Sequence, residues 1–189
     1  MTSIIKVNTI QDVGGNNLLI SNGSGTITTN KIGITEADQW RLSADLTTAT
    51  NVVTVLSSNL ERVDTSAQGY LGTGMTQASG IFTFPSTGIW LVSYGISTSK
   101  NSAWTYLYAN IETTTNNSTY TTVSRAVTSS TGTMSGYPEI SSMSQTLVDV
   151  TSTSLVKVRF VYNTNVAITL QGNSNYNKTF FTFIRLGNT

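Results

Sequence analysis

Apolar and polar positions alternate most clearly from Gly80 to Ser99, GIFTFPSTGIWLVSYGISTS, and the alternation predicts two strands with a corner between them. Phe82 and Phe84 alternate with Ile81 and Thr83, and Pro85, Ser86, Thr87 and Gly88 then break the pattern. After the break Trp90, Val92, Tyr94 and Ile96 fall on one face, with Ile89, Leu91, Ser93 and Gly95 on the other. The second face starts apolar and ends small. That predicts a strand covered on both sides over part of its length, by its own partner sheet and by a second layer or subunit.

The same two-residue period predicts strands from about Glu36 to Asp45, over Val52 to Leu56, Leu60 to Asp64, Trp104 to Ile111, Tyr120 to Val127, Met143 to Val150, Leu155 to Tyr162, Val166 to Leu170 and Lys178 to Leu186. Turns are expected at Leu46 to Thr50 and at Asn116 and Asn117, and loops at Gln68 to Gly80, Ser129 to Gly136 and Gln171 to Asn177. No stretch carries a 3.6-residue apolar period with a cap at each end. The expected fold is therefore all-β, with nine or ten short strands closed into a sandwich or barrel.

Residues 1–35 read differently: IIKVNTIQDV, GGNN, LLIS, NGSG and TITTNKIGIT are short extended pieces split by Gly and Asn turns. Ile5, Val7, Ile10, Val13, Leu18, Ile20, Ile27, Ile32 and Ile34 are too few to close a core within one chain. Isolated hairpins are marginal in water, so this arm is expected either to pack on the following domain or to wind together with other copies. The expected organisation is an arm over 1–35 and a domain over 36–189.

Composition removes chemistry. The 189 residues include no Cys and no His, which excludes thiol nucleophiles, disulfides, thiolate metal sites and the usual base of serine hydrolases. Only 10% of residues are charged and the net charge of +1 is spread without a basic stripe, so nucleic acid is not an expected partner. The nine acidic residues are dispersed rather than clustered as oxygen cages for cations require. Glu61 with Asp64, and Glu36 with Asp38, each lie beside Arg in strand-edge or turn sequence, and a surface ion-pair role is expected for them. No enzyme activity, metal or cofactor is expected. The N-terminus has no signal-peptide core and no run of roughly 18 apolar residues occurs, so neither Sec export nor membrane insertion is expected.

Two resemblances add to this. Phe82, Pro85, Gly88, Trp90, Val92 and Tyr94, with Leu155 to Phe160 and the close from Gly172 through Asn175 to Thr179, Phe180, Thr182, Phe183 and Leu186, resemble the globular heads of complement subcomponents and tumour necrosis factor relatives. The resemblance spans about Trp40 to Leu186 and implies a ten-stranded jelly roll that assembles as a homotrimer around an apolar axis. The arm, with IKVNTIQD, GGN and GSGTI, is similar to the start of fibre and structural proteins of tailed phages, notably those of marine bacteria, as are DQWRL and SNLERV further on. That similarity implies a virion appendage: a thin trimeric β stem joined to other tail or capsid proteins, and a head assembled in the host cytoplasm. The head is expected to bind a host surface glycan or protein. A purely structural decoration of capsid or tail is the alternative. Most of the aromatic set Trp90, Tyr94, Trp104, Tyr106, Tyr108, Tyr162, Tyr176 and Phe180 is expected in the core or at the trimer interface. Tyr70, Tyr137 and Tyr176 lie in loops rich in Gly, Ser and Asn, which suit ring stacking and adaptable hydrogen bonding, and are the candidate receptor contacts.

Overall fold

The structure, a computed structural model, describes residues 7–21, 23–24, 33–100, 102–131 and 139–189, and the backbone of 27–29. The chain divides into two compact units, Met1–Thr35 and Glu36–Thr189.

In the first unit β1 (Thr9–Gln11), β2 (Asn17–Ser21) and β3 (Ile27–Thr29) form a small antiparallel sheet. The β1–β2 turn is tied by the Asp12 carboxylate, which accepts from the Asn16 backbone N–H at 2.9 Å and from its side-chain amide at 2.9 Å. These bonds hold the Asp12 carboxyl below its ordinary value. Ile10 and Leu19 pair on one face, while Leu18 and Ile20 occupy the other. Val7, Ile10, Val13, Leu18 and Ile20 all remain exposed.

The second unit is a two-layer all-β sandwich. One layer has seven strands: β4 (Ala37–Leu42), β5 (Leu46–Thr47), β7 (Leu60–Arg62), β10 (Gly88–Ser99), β13 (Glu139–Val150), β15 (Thr169–Leu170) and β16 (Phe180–Gly187). The other has six: β6 (Thr54–Val55), β8 (Thr76–Ala78), β9 (Ile81–Thr83), β11 (Trp104–Thr114), β12 (Thr121–Ser130) and β14 (Lys157–Thr164). Strand β10 is central, paired along its whole length with β13 and, on its other side, with β16 and β15. Its Trp90, Val92, Tyr94 and Ile96 face the core, as the alternation predicts.

An aromatic cluster joins the layers. Phe82 of β9 meets Phe160 of β14 at 5.4 Å and reaches across to Phe181 and Phe183 of β16 at 5.7 and 5.2 Å. Phe160 stacks on Phe181 at 4.1 Å, and Tyr94 packs on both. The corner before β10 is closed by Arg185, whose Nε donates to the Thr87 carbonyl, and by Ser86, whose hydroxyl donates to Glu36. Gly88 there has a φ of 136°, and a Cβ would meet the Gly187 carbonyl oxygen at 2.3 Å, so no other residue fits.

Three expectations change. The segment read as a turn at Leu46 to Thr50 contributes the short strand β5, and the loop Gln68 to Gly80 contains β8. Both gain strand geometry from a partner, β15 and β9, rather than from their own alternation. Tyr106 and Tyr108 are not in the core: a register irregularity between Trp104 and Leu107 leaves Trp104 buried but turns both tyrosines to the outside of the six-stranded layer. There Tyr106 stacks on Tyr108 at 4.5 Å, and Arg125 lies 4.6 Å from the Tyr108 ring while donating to Asn110.

Arg41 of β4 is fully buried on the outside of the seven-stranded layer. Its Nε reaches Glu61 at 2.6 Å, Nη2 reaches Asp64 at 3.0 Å, and Nη1 donates to the Thr65 hydroxyl. Thr65 in turn donates to the Ser174 and Asn175 carbonyls, so the guanidinium holds two loops in place. Because both carboxylates keep access to water, Arg41→Met is expected to cost only about 1–3 kcal/mol in denaturant unfolding, most of it lost hydrogen bonding. The loop carrying Tyr176 should be cut by protease faster in that variant.

Candidate functional site

The outer face of the seven-stranded layer, the side away from the aromatic core, is built in rungs by the strand register. The first rung sets Leu147 of β13 beside Leu91 of β10 and Ile184 of β16. The second sets Gln145, Ser93, Thr182 and Gln39 in line, and these satisfy one another: Gln145 donates to Ser93 and Gln39 to Thr182, each at 2.9 Å. The third sets Met143, Gly95 and Phe180 side by side, and the fourth pairs Ser141 with Ser97. Along β10 the face therefore changes from apolar at Leu91 to hydroxyl-lined at Ser97. Leu147 and Met143 are each 60% exposed and Leu186 is 50% exposed.

At the hydroxyl-lined end lies an open cleft of about 530 Å³. Its floor is Gly95 with the Phe180 ring laid across it. A Cβ at residue 95 would stand 2.4 Å from that ring, so glycine is what lets Phe180 lie flat. Ile96 and Ser97 of β10, Ser141, Ser142 and Met143 of β13, and Tyr176, Asn177 and Lys178 of the β15–β16 loop complete the lining. Glu139, at the start of β13, closes the rim through its ion pair with Lys178 at 3.0 Å. Gln171 donates to the same carboxylate oxygen at 2.9 Å and accepts from Ser97 at 3.0 Å, linking the rim to the floor.

The Gln171 amide first, and the Lys178 ammonium second, hold the Glu139 carboxyl below its ordinary value, while the bond to Glu139 raises Lys178. A depressed carboxyl stays ionised at neutral pH and is protonated only as the pH falls through its lowered value. At neutral pH the rim thus carries one positive and one negative group.

Of the three tyrosines expected to contact a receptor, Tyr176 stands at this cleft, 53% exposed, with the Lys178 ammonium 5.9 Å from its ring. Tyr70 is not among the lining residues. It stacks on Arg62 at 4.6 Å, in a separate cluster with Trp40 and Asp38. Tyr137 lies outside the described residues. Sequence reasoning missed Glu139, Lys178, Gly95 and Ser97, because the pairing of Glu139 with Lys178 exists only across the sheet and has no local signature. Among the described residues, no three carboxylates come together as a metal site would need, and no helix is long and apolar enough to cross a membrane.

The arrangement of layers and strands is that of a tumour-necrosis-factor-type jelly roll. Murine APRIL superimposes with a TM-score of 0.57 at 14% identity, over 80% of this chain and 98% of that one. Eiger TNF from S. frugiperda superimposes with a TM-score of 0.56 at 14% identity, over 81% and 93%. The PRD1 vertex protein P5 aligns over 82% of this chain and 99% of that one at 18% identity, with a TM-score of 0.48. No protein-family model matches the chain, and no curated protein does.

Proposed function

We propose that the protein is a homotrimeric virion appendage of a tailed phage, without enzymatic activity. In this reading its jelly-roll head adsorbs to the host surface, and its arm joins the copies to one another and to a tail or capsid protein. One observation carries the assembly: a single copy leaves two sets of apolar side chains in water. In the arm these are Val7, Ile10, Val13, Leu18 and Ile20; on the head they are Leu147 and Leu186 beside half-buried Leu91 and Ile184. Apolar residues clustered on one sheet face mark an interaction surface more often than chance exposure. Three copies in a closed ring bury both sets at once.

The phage assignment rests on the similarity of the arm to fibre proteins, and the role in adsorption on the open cleft at the end of the head away from Glu36, its first residue. Three copies presenting weak sites together would gain avidity. The test is a native mass measurement on the full chain, followed by binding of fluorescently labelled protein to bacterial cells. Three times the 20.3 kDa chain mass together with adsorption supports the reading. A monomer overturns the assembly, and a trimer that adsorbs to no cell while being required for particle assembly identifies a structural decoration instead.

A further inference from the structure

Resting on that reading, we propose that the cleft between Tyr176, Lys178, Glu139 and the Ser97–Ser141 rung binds an uncharged pyranose, so that the receptor element recognised by the head is a neutral sugar.

The lining chooses this chemistry over others. The cleft volume of about 530 Å³ falls within the roughly 300–1,000 Å³ of small-ligand sites. Tyr176 presents a half-exposed ring beside a rim of hydrogen-bonding groups, the pairing of apolar plate and polar edge that a sugar ring's C–H face and hydroxyls require. Glu139 and Lys178, held 3.0 Å apart, offer a strong acceptor next to a strong donor, which a vicinal diol can bridge with one hydroxyl donating and the next accepting. Because the two charges cancel, a phosphate or sulfate would face the Glu139 carboxylate and an amine would face the Lys178 ammonium. Neutral polyols meet neither penalty. The hydroxyls of Ser97 and Ser141 and the Gln171–Glu139 link extend the polar lining inward, beside the apolar Met143 and Phe180.

Position agrees with composition. The Leu91–Leu147 rung lies four residues along β10 from the cleft floor at Gly95 and Met143, about 13 Å at strand rise, so a second copy can close on that rung while the Ser97–Ser141 end of the face stays open. Tyr176 and Lys178 belong to a loop held from behind by Thr65 and Arg41, so the ring is presented on a fixed support rather than a free tip.

The experiment is saturation-transfer NMR and calorimetry on the full chain with glucose, galactose and mannose, and with glucose 6-phosphate, glucuronate and glucosamine as charged counterparts. At least one neutral sugar is expected to bind with Kd on the order of 1–30 mM, the range a ligand of about a dozen heavy atoms reaches in an open site. Its charged counterparts should bind at least several-fold more weakly. Tyr176→Ala, at an exposed loop position, should leave the melting temperature unchanged and reduce affinity about tenfold or more, while Glu139→Gln should weaken neutral-sugar binding and remove the discrimination against the phosphate. The proposal is overturned if no neutral sugar binds, if a charged counterpart binds best, or if Tyr176→Ala binds as tightly as the parent. A trimer that adsorbs to cells but ignores every sugar defeats this inference alone, and a monomer that binds sugar defeats only the assembly.

Discussion

Glutamate in place of Leu147 is expected to convert the proposed trimer into single 20.3 kDa chains. Leu147 is 60% exposed in one copy, so the substitution costs the isolated fold almost nothing. On the proposed seam it removes an apolar contact worth roughly 1.5–3 kcal/mol per copy and adds a carboxylate that would be buried without a partner, at several kcal/mol more. The effect is repeated in every copy and falls beside Leu91 and Ile184, the apolar residues of the same rung. Native mass and sedimentation should therefore show monomer, with the far-ultraviolet spectrum and sugar binding retained. Val53→Glu, at an equally exposed position on a loop, serves as the control and should remain trimeric. Persistence of the trimer in Leu147→Glu, or its loss in the control as well, would remove this face from the assembly.

Asp38→Ala is expected to be among the most destabilising single changes in the head. The carboxylate is nearly fully buried and takes donors from four directions: the Met75 N–H at 2.7 Å, the Gln39 N–H at 2.8 Å, Trp40 Nε1 at 3.0 Å and Arg62 Nε at 3.1 Å. Arg62 also bonds the Met75 carbonyl and lies between the Trp40 and Tyr70 rings, so one group joins β4, β7 and the loop before β8. Removing it leaves a half-buried guanidinium without its counter-charge and the buried Met75 N–H without an acceptor, a loss of about 3–5 kcal/mol. For a chain of this length that corresponds to a fall of roughly 10 °C or more in Tm. Asp38→Asn keeps the shape and an acceptor, and should recover part of the loss. Sugar affinity measured well below the new Tm should stay at the parent value, since no residue of this cluster lines the cleft. A Tm within about 2 °C of the parent, less than one kcal/mol of effect, would show the cluster to be incidental.

The strands that sequence reasoning reads best are those whose own side chains alternate between core and solvent. From Ile81 to Ile96 the period alone assigns the core-facing residues, and Phe82, Trp90 and Tyr94 are indeed inside. It fails where a strand is two or three residues long and exists because a neighbour pairs with it, as at Leu46–Thr47 and Thr76–Ala78. It fails again at Trp104, where an irregular register shifts Tyr106 and Tyr108 to the outer face although their spacing from Trp104 is even. Arg41 is the sharpest case: it alternates with Trp40 and Leu42, yet it is fully buried because Glu61 of β7 and Asp64 and Thr65 just after that strand surround it.

By itself the sequence determined the all-β class, the inward face of β10, the break in character near Thr35 and the absence of thiol and imidazole chemistry, because each depends on residue type and local spacing. Only the tertiary structure decided that Glu139 pairs with Lys178, that Gly95 lets Phe180 lie flat, and that Tyr176 rather than Tyr70 stands at the cleft. Those relations join residues tens of positions apart, and what brings them together is strand register, which is fixed by the whole sandwich closing on its core.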